Sequence, residues 1–371
     1  MAPREYRIAV PDAVLEDMRG RIAATRWPDP LEGVGWDYGA DIAYIRELCQ
    51  YWETDYDWRA HEAALNGYDQ FVCEVDGVDL HFWHVRSEAA RPFPLMLLHG
   101  WPGSIYEFFE LLHPLTDPTG GGADAFDVIV PALPGFGFGG RPRTPGWNLE
   151  RIAAALDTLM TDELGYRRYG VQGGDWGGAL AAQLGSAHAE HVAGIHVNFA
   201  VASPPDDLTK DDAAALERFR AWRRRETGYS LVQGTKPDAL TLAQSDSPAG
   251  LAAWIVEKFR TWSDCGGDLE RVFSKDTLLT NVMFYWAPNS AASAARIYAE
   301  ARRAPAPQAR IDVPTAVAAF PREPWSTPRT WVERLYNVTR WTNMPRGGHF
   351  AALEQPQLLV EDMRAFFRTL R

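Results

Sequence analysis

Residues 171–180 have the sequence VQGGDWGGAL, in which four glycines surround a single carboxylate. The apolar segment YGVQG precedes the carboxylate and the alanine-rich segment GGALAAQLGSAHAE follows it, so the pattern predicts a strand, a tight turn and a helix. Asp175 stands where a nucleophilic serine stands in the turn pattern G-x-S-x-G. Aspartate is also a common helix N-cap, so the turn alone leaves two interpretations open: a carboxylate nucleophile or a glycine-rich helix start.

Apolar segments alternate with helical segments on both sides of this turn. The short runs at 94–100, 126–133 and 192–200 are typical of buried parallel strands. Strand signals disappear from 203 to 305, where the sequence predicts helices, and they resume at 311–320. The pattern predicts an α/β fold, in which a mostly parallel sheet has helices on both faces. The helical block is expected to cover the carboxyl ends of the strands as a cap.

The first 70 residues are predicted to be mainly helical, and a hairpin turning at Asp76-Gly77 follows them. The sequence therefore predicts four parts. They are an N-terminal extension with the hairpin (1–90), the first part of the core (91–202), a helical cap (203–305) and the second part of the core (306–371).

The nucleophile in an α/β-hydrolase fold is followed along the chain by an acid and then a histidine. His349, in RGGHFAALE, lies after the last predicted strand and before the last helix, where such a base belongs. Glu323 follows the strand 311–320 at its carboxyl end and is the predicted acid. Asp312 is the competing acid, although it lies at the opposite end of that strand. A structural histidine and an exposed loop glutamate are the alternative interpretations of His349 and Glu323.

The segment HGWPGS, residues 99–104, follows the first parallel strand. In this fold, that loop and the residue after the nucleophile each supply a backbone N–H to an oxyanion hole. The predicted donors are the amides of Trp101 and Trp176. His99 is expected to make local hydrogen bonds and Pro102 to fix the loop's shape. The supporting residues of the two motifs are His99, Gly100, Pro102, Gly173 and Gly177.

Composition excludes several other functions. The formal net charge of −12 disfavours nucleic acid as a partner. The three cysteines form no CxxC pair, so neither a disulfide framework nor a zinc site is expected, and buried thiols in the cytoplasm fit best. The N-terminus lacks a signal-peptide pattern, and the chain has no apolar run of about 18 residues, so no membrane anchor is expected.

Two motifs are discounted. GFGFGG at 135–140 matches a dinucleotide-binding pattern, but the prolines that follow do not open a phosphate-binding helix. His81 and His84 would lie on opposite faces of a strand and cannot chelate one metal ion. We expect neither a cofactor nor a metal.

Several separated motifs occur together in one order: RWPD, YWETDYDWR, HGWPGS, GGDWGG, ETGY, LLTNVMFYW, AAFPRE and RGGHFAALEQP. Over nearly its whole length, the chain resembles the microsomal-type epoxide hydrolases, including their soluble bacterial members, and its composition looks actinobacterial. The resemblance implies that Asp175 is the nucleophile, His349 the base and Glu323 its orienting acid. It also implies that Tyr229 and Tyr298 in the cap bind the epoxide oxygen.

The expected reaction converts an epoxide and water into a vicinal diol through an ester on the aspartate. A carboxylate, with a pKa of about 4, needs no base to attack. A serine would instead form an ether that water cannot cleave. The substrate is expected to be a small apolar or aromatic epoxide from natural-product biosynthesis or detoxification, with a homodimer as one candidate assembly. The alternatives are a haloalkane dehalogenase and a catalytically silent binding protein on this fold.

Overall fold

The computed structural model describes residues 2–117, 124–305 and 309–371. One sheet of nine strands forms its centre. The strands are β1 (Arg4–Tyr6), β2 (Gln70–Val75), β3 (Val78–Val85), β4 (Phe93–Leu98), β5 (Phe126–Pro131), β6 (Tyr169–Gly173), β7 (Val192–Val197), β8 (Ile311–Ala319) and β9 (Tyr336–Asn343).

Fifteen α-helices are found in the described residues. Those of the N-terminal and core segments are α1 (Asp12–Ala23), α2 (Ile42–Thr54), α3 (Trp58–Leu65), α4 (Phe109–Thr116), α5 (Leu149–Thr158), α6 (Asp175–Ala187), α13 (Arg329–Leu335), α14 (Ala351–Glu354) and α15 (Pro356–Phe367). Those between β7 and β8 are α7 (Lys210–Glu226), α8 (Gly228–Thr235), α9 (Pro237–Asp246), α10 (Pro248–Trp262), α11 (Lys275–Trp286) and α12 (Ala291–Arg303).

The strand order is β1-β2-β3-β5-β4-β6-β7-β8-β9. The first three strands and β5 pair antiparallel, whereas β5, β4, β6, β7, β8 and β9 pair parallel to their neighbours. The predicted α/β-hydrolase fold with a mostly parallel sheet is confirmed. The next two strands after β4 along the chain lie on opposite sides of it in the sheet, β5 on one side and β6 on the other. The loops after β4 and β6 therefore meet at a switch point, which is where such sheets bind ligands.

The local signals explain most of these elements. Every residue of β5, β6 and β7 is buried, as expected for strands covered on both faces. Asp76 and Gly77 both have positive φ, 51° and 75°, as the two-residue hairpin turn between β2 and β3 requires. The expectation of a helical first segment omitted β1, which pairs with β2. A segment of three residues is too short to show the alternating pattern of a strand. It is extended because it pairs with the edge of β2.

The six helices between β7 and β8 also contact the N-terminal segment. The Arg21 guanidinium pairs with Asp246 at 2.5 Å, and the Tyr51 hydroxyl donates to Asp276 at 2.9 Å. The predicted boundary between 305 and 306 adjoins residues 306–308, which lie outside the described residues. Among the helices of the described segments, none has the length and apolar character needed to cross a bilayer.

Candidate active site

Asp175 occupies the turn between β6 and α6 with a φ of 49°, a left-handed conformation that a non-glycine residue rarely adopts. The surrounding glycines allow this turn to pack. A Cβ on Gly177 would lie 1.9 Å from the Leu98 carbonyl oxygen, and one on Gly173 would lie 2.3 Å from the Gly177 backbone. Backbone strain of this kind costs on the order of 1–3 kcal/mol and is characteristic of functional turns.

Two backbone amides hold the Asp175 carboxylate. The Trp101 amide donates to Oδ1 at 2.8 Å, and the Trp176 amide also donates to the carboxylate. Gly100 leaves room for this approach, because a Cβ there would lie 2.2 Å from Oδ1. Burial raises the pKa of Asp175, while His349 and the two amides oppose that rise. The carboxylate therefore already occupies the predicted oxyanion hole.

The loop after β4 is fixed from both sides. His99 is buried, its Nδ1 lies 3.0 Å from the Gly100 carbonyl oxygen, and its Nε2 accepts from the Leu133 amide at 3.1 Å. Burial lowers the pKa of His99 to about 4, so the ring is neutral and Nδ1 carries the donated proton. The Trp101–Pro102 peptide is cis. His99 thus makes the local hydrogen bonds that the sequence predicted.

Helix α11 holds the same loop from the cap. The buried Asn281 amide donates to the Pro102 carbonyl at 2.8 Å and accepts from the Ser104 hydroxyl at 2.9 Å. The Tyr285 hydroxyl donates to the Gly103 carbonyl at 2.5 Å. These residues belong to LLTNVMFYW, whose role the sequence did not reveal.

His349 and Glu323 are brought beside the nucleophile. Nδ1 of His349 donates to Glu323 Oε1 at 2.6 Å, and Nε2 lies 3.6 Å from Asp175 Oδ2. Both side chains are buried, 7% and 4% exposed. Because Nδ1 donates to Glu323, Nε2 is the nitrogen that faces Asp175, and it can accept a proton whenever the ring is neutral. Asp312 is exposed at the start of β8 and pairs with Arg310 at 3.0 Å, so the structure does not bring it to the site.

The charges of this cluster are coupled. Burial opposes protonation of His349, but Glu323, Asp175 and Glu107 outweigh it and raise its pKa to about 9. Burial raises the pKa of Glu323, and His349 opposes that rise. We infer an imidazolium between carboxylates in the resting site, since a close anion favours the charged ring.

The loop that carries His349 is held by Glu354. Its carboxylate accepts from the amides of Gly348 at 2.9 Å, Phe350 at 3.0 Å and Asp264 at 2.7 Å. The His349 amide donates to the Trp262 carbonyl at 2.9 Å. The last residue of RGGHFAALE therefore positions the histidine, which the sequence analysis missed, although the motif contained the signal.

Tyr229 in α8 and Tyr298 in α12 lie together over the Trp101 ring. Their ring centroids are 5.8 Å apart, and Tyr229 stacks on Trp101 at 5.1 Å. Tyr298 meets the Trp176 ring edge-on at 4.8 Å, and its hydroxyl is buried with no hydrogen-bond partner in the described part of the chain. Burial raises the pKa of both phenols, and Asp175 raises them further, so both hydroxyls are protonated.

Further aromatic and charged groups adjoin the site, and no sequence motif predicted them. The Trp262 ring lies 4.9 Å from the His349 ring and 5.2 Å from that of Tyr229. The buried Lys258 ammonium lies 5.0 Å from the Tyr229 ring centroid. These residues come from α10, and only the folded cap brings them to the nucleophile.

One cluster in the described residues has metal-ligand chemistry. Asp157, His188 and His191 place their ligand atoms within 4.8 Å of one another. The Tyr169 hydroxyl donates to Asp157 at 2.7 Å, and both histidines lie within 3.1 Å of its carboxylate. Tyr169 begins β6, whereas Asp175 follows its end, so the cluster lies at the opposite edge of the sheet. Hydrogen bonds account for the cluster's geometry.

The chain is similar to known epoxide hydrolases along nearly its whole length. Residues 3–108 match the family described as epoxide hydrolase N terminus, and residues 94–238 match the alpha/beta hydrolase fold. Epoxide hydrolase 1 of Oryctolagus cuniculus is 35% identical over 403 residues, which cover 98% of this chain and 88% of that protein.

A Stigmatella aurantiaca protein is 43% identical over 374 residues, which cover 99% of this chain and 85% of that protein. The crystal structure of juvenile hormone epoxide hydrolase from the silkworm Bombyx mori superposes with a TM-score of 0.92 at 30% identity. That comparison covers 100% of this chain and 95% of the silkworm chain.

Proposed function

Because the chain belongs to the epoxide hydrolase family, we propose that Asp175 attacks an epoxide carbon and forms a covalent ester, which water then hydrolyses to the diol. Family membership makes the chain an epoxide hydrolase, with an epoxide and water as substrates. This decides against the haloalkane dehalogenase and the silent binding protein. The residue roles, the natural epoxide, the homodimer and the cytoplasmic location stay predictions.

In the first step, the lone pair of Asp175 Oδ2 forms a bond to an epoxide carbon as the ring carbon–oxygen bond breaks. Oδ1 is held by the Trp101 amide, which leaves Oδ2 as the reacting oxygen. Tyr229 and Tyr298 donate a hydrogen bond and a proton to the ring oxygen, which would otherwise leave as an alkoxide, and the tyrosinate so formed recovers a proton from solvent. The unpartnered hydroxyl of Tyr298 supports this role.

In the second step, water attacks the ester carbon and gives its proton to Nε2 of His349. The carbonyl oxygen of the ester is Oδ1, and its charge develops in front of the amides of Trp101 and Trp176. The bond between Cγ and Oδ2 then breaks, and Oδ2 leaves in the diol with the proton from His349. The water oxygen stays on Cγ, and the proton left on the new Asp175 carboxyl group passes to His349. Glu323 orients the ring and stabilises the imidazolium without accepting its proton.

The walls around the reacting atoms support an apolar or aromatic epoxide. Trp101, Trp262 and Tyr298 are all buried, and the Trp101 ring centroid lies 6.4 Å from that of Trp262 and 5.8 Å from that of Tyr298. Aromatic rings bind apolar surface with defined geometry. We expect styrene oxide to be hydrolysed, and a bromoalkane and a p-nitrophenyl ester to be poor substrates.

The observation that carries the mechanism is the placement of a carboxylate, with one oxygen in the oxyanion hole and the other 3.6 Å from Nε2 of His349. A single turnover in heavy-oxygen water should leave the label in Asp175, because water attacks the ester carbon. Mass spectrometry of the peptide that contains Asp175 measures this. Label found only in the diol after the first turnover would mean direct attack of water on the epoxide.

A further inference from the structure

A small polar cavity lies beside Asp175. The mechanism proposed above assigns no role to some of the polar residues that line it. The cavity measures about 10 Å³, room for about one water molecule. Five polar side chains line it: Glu107, Gln172, Asp175, Asn198 and His349. The nucleophile and the base of the proposed mechanism therefore share a water-sized space with three further polar groups.

Glu107 has a local structural role that must be separated from any chemical one. Ser104 caps the helical turn Ile105–Phe108 with its hydroxyl, and the Ser104 amide donates back to Glu107. This is the capping-box pattern S-x-x-E. One hydrogen bond uses only part of a carboxylate's accepting capacity, and the same carboxyl group also lines the cavity.

One residue that lines the cavity has an unsatisfied acceptor. Gln172 is 1% exposed; its Nε2 donates to Asn198 at 2.9 Å, while its Oε1 has no partner among the described residues. A buried acceptor without a partner is costly, and a water molecule with two to four polar neighbours satisfies it. Gln172 therefore marks the space as a water site independently of Glu107.

We propose that this cavity holds the water molecule that hydrolyses the ester, with Glu107 and Gln172 orienting it towards His349 and the ester carbon of Asp175. The inference rests on the covalent mechanism proposed above. The water gives one proton to Nε2 of His349 and donates its other hydrogen to Glu107 or Gln172, so its lone pair faces the ester carbon. Glu107 is thus a water-positioning residue of the second step and has no part in the first.

The electrostatics agree with this order of events. Burial and the Asp175 charge raise the pKa of Glu107 to about 8, and His349 opposes that rise. Ester formation removes the Asp175 charge, which also contributes to the raised pKa of His349. Loss of that charge lowers the pKa of His349, so the imidazolium can release a proton to solvent and the ring becomes a base when water is needed. Glu107 can accept from the water through a carboxyl oxygen in either protonation state.

The test is Glu107→Met, because methionine keeps the length of the side chain but has no oxygen to accept from the water. Alkylation and ester hydrolysis are measured separately, by stopped flow and by intact mass of the quenched protein. For Glu107→Met we expect alkylation within about twofold of the parent and ester hydrolysis slowed by about tenfold or more, since orientation of a reactant dominates such steps. The ester should accumulate at steady state. Glu107→Gln, which keeps an acceptor and the capping box, should restore most of the hydrolysis rate.

Glu110→Gln is the matched control, since Glu110 is an exposed carboxylate of the adjoining helix α4 and should change neither rate. If Glu107→Met hydrolyses its ester at the parent rate, the water site is wrong and Glu107 is only a cap. If no ester is detected with either the parent or His349→Gln under single turnover, the covalent mechanism itself fails. Equal slowing of both steps would indicate a general distortion and would also overturn the inference.

Discussion

At the scale of single residues, the chemistry depends on which oxygen or nitrogen atom is free. The hydrogen bond of His349 Nδ1 to Glu323, at 2.6 Å, fixes the tautomer and leaves Nε2 towards Asp175. The amide of Trp101 fixes Oδ1 of Asp175 and leaves Oδ2 free. Each free atom is the one that the next step of the proposed reaction requires.

His349→Gln should alkylate Asp175 but not turn over, because the ring acts only on water in the second step. Intact-mass analysis should show the protein plus one substrate. Glu323→Gln should be slower than the parent but faster than His349→Gln, because Glu323 orients the ring and takes no proton. Normal turnover by His349→Gln would show that another group is the base, while parent-like activity of Glu323→Gln would leave the orienting role without support.

These residues differ in how far the sequence could predict them. Asp175, His349 and Glu323 are each beside a strand end with a motif, so their convergence follows from the parallel sheet. Gln172 lies in the segment before the nucleophile turn, but nothing in that pattern assigns it a role, and Trp262 lies in no motif. Their roles depend on which groups lie opposite them, and that depends on packing between segments distant in the chain.

At the scale of elements, the last helix is tied to the sheet by one buried carboxylate. Asp362 in α15 accepts from His196 in β7 at 3.0 Å and from Arg340 and Thr342 in β9 at 2.8 Å and 2.7 Å. These partners outweigh the effect of burial and hold the pKa of Asp362 well below its ordinary value. The helix that follows His349 is thereby fixed against the strand that precedes it.

Asp362→Asn should lower the free energy of unfolding at pH 7 by about 3 kcal/mol, because it leaves the Arg340 charge without its anion. The depressed pKa means that the parent has this stabilisation above the unfolded-state value of about 4. The parent loses it as pH falls through the lower folded-state pKa. Urea unfolding between pH 7 and pH 3 should therefore show a larger loss for the parent than for the variant.

Asp17→Asn is the control, since Asp17 pairs with Arg21 at the surface and its side chain is 55% exposed. Exposed pairs contribute about 1 kcal/mol or less, so this variant should stay close to the parent. Equal stability of Asp362→Asn and the parent at pH 7 would contradict the proposed tie.

At the scale of the whole molecule, the site is completed only where the cap meets the core. Asn281 and Tyr285 in α11 hold the loop that carries Trp101, and α8 and α12 bring the two tyrosines over it. The cap therefore positions the loop of the proposed oxyanion donor Trp101 as well as covering it. The Trp101 loop takes part in both steps of the proposed mechanism. Because α11 holds this loop by hydrogen bonds, both steps depend on the contact between cap and core.

Tyr229→Phe and Tyr298→Phe should each slow alkylation of Asp175, and the double variant should nearly abolish it, because a phenol protonates the opening ring and phenylalanine cannot. Ester hydrolysis should change much less. Stopped flow under single turnover measures both steps. Tyr298→Phe should not lower the melting temperature, since its hydroxyl is buried without a partner and its loss removes an unsatisfied group. Alkylation at the parent rate in both single variants would make the tyrosines packing residues.

The α/β-hydrolase architecture and the strand–turn–helix at Asp175 follow from the amino-acid sequence alone, as do the predicted positions of an acid and a base after it. These features are local: buried strands are short apolar runs, tight turns need glycine, and parallel strands end at one edge. Only the tertiary structure decided the strand β1, the hold of α11 on the Trp101 loop, and the cavity shared by Glu107 and Gln172. Those features arise from contacts between segments that are far apart in the chain. Asn281 and Pro102, for example, are 179 residues apart. No local pattern encodes such a contact, because its free energy exists only when both partners are buried together.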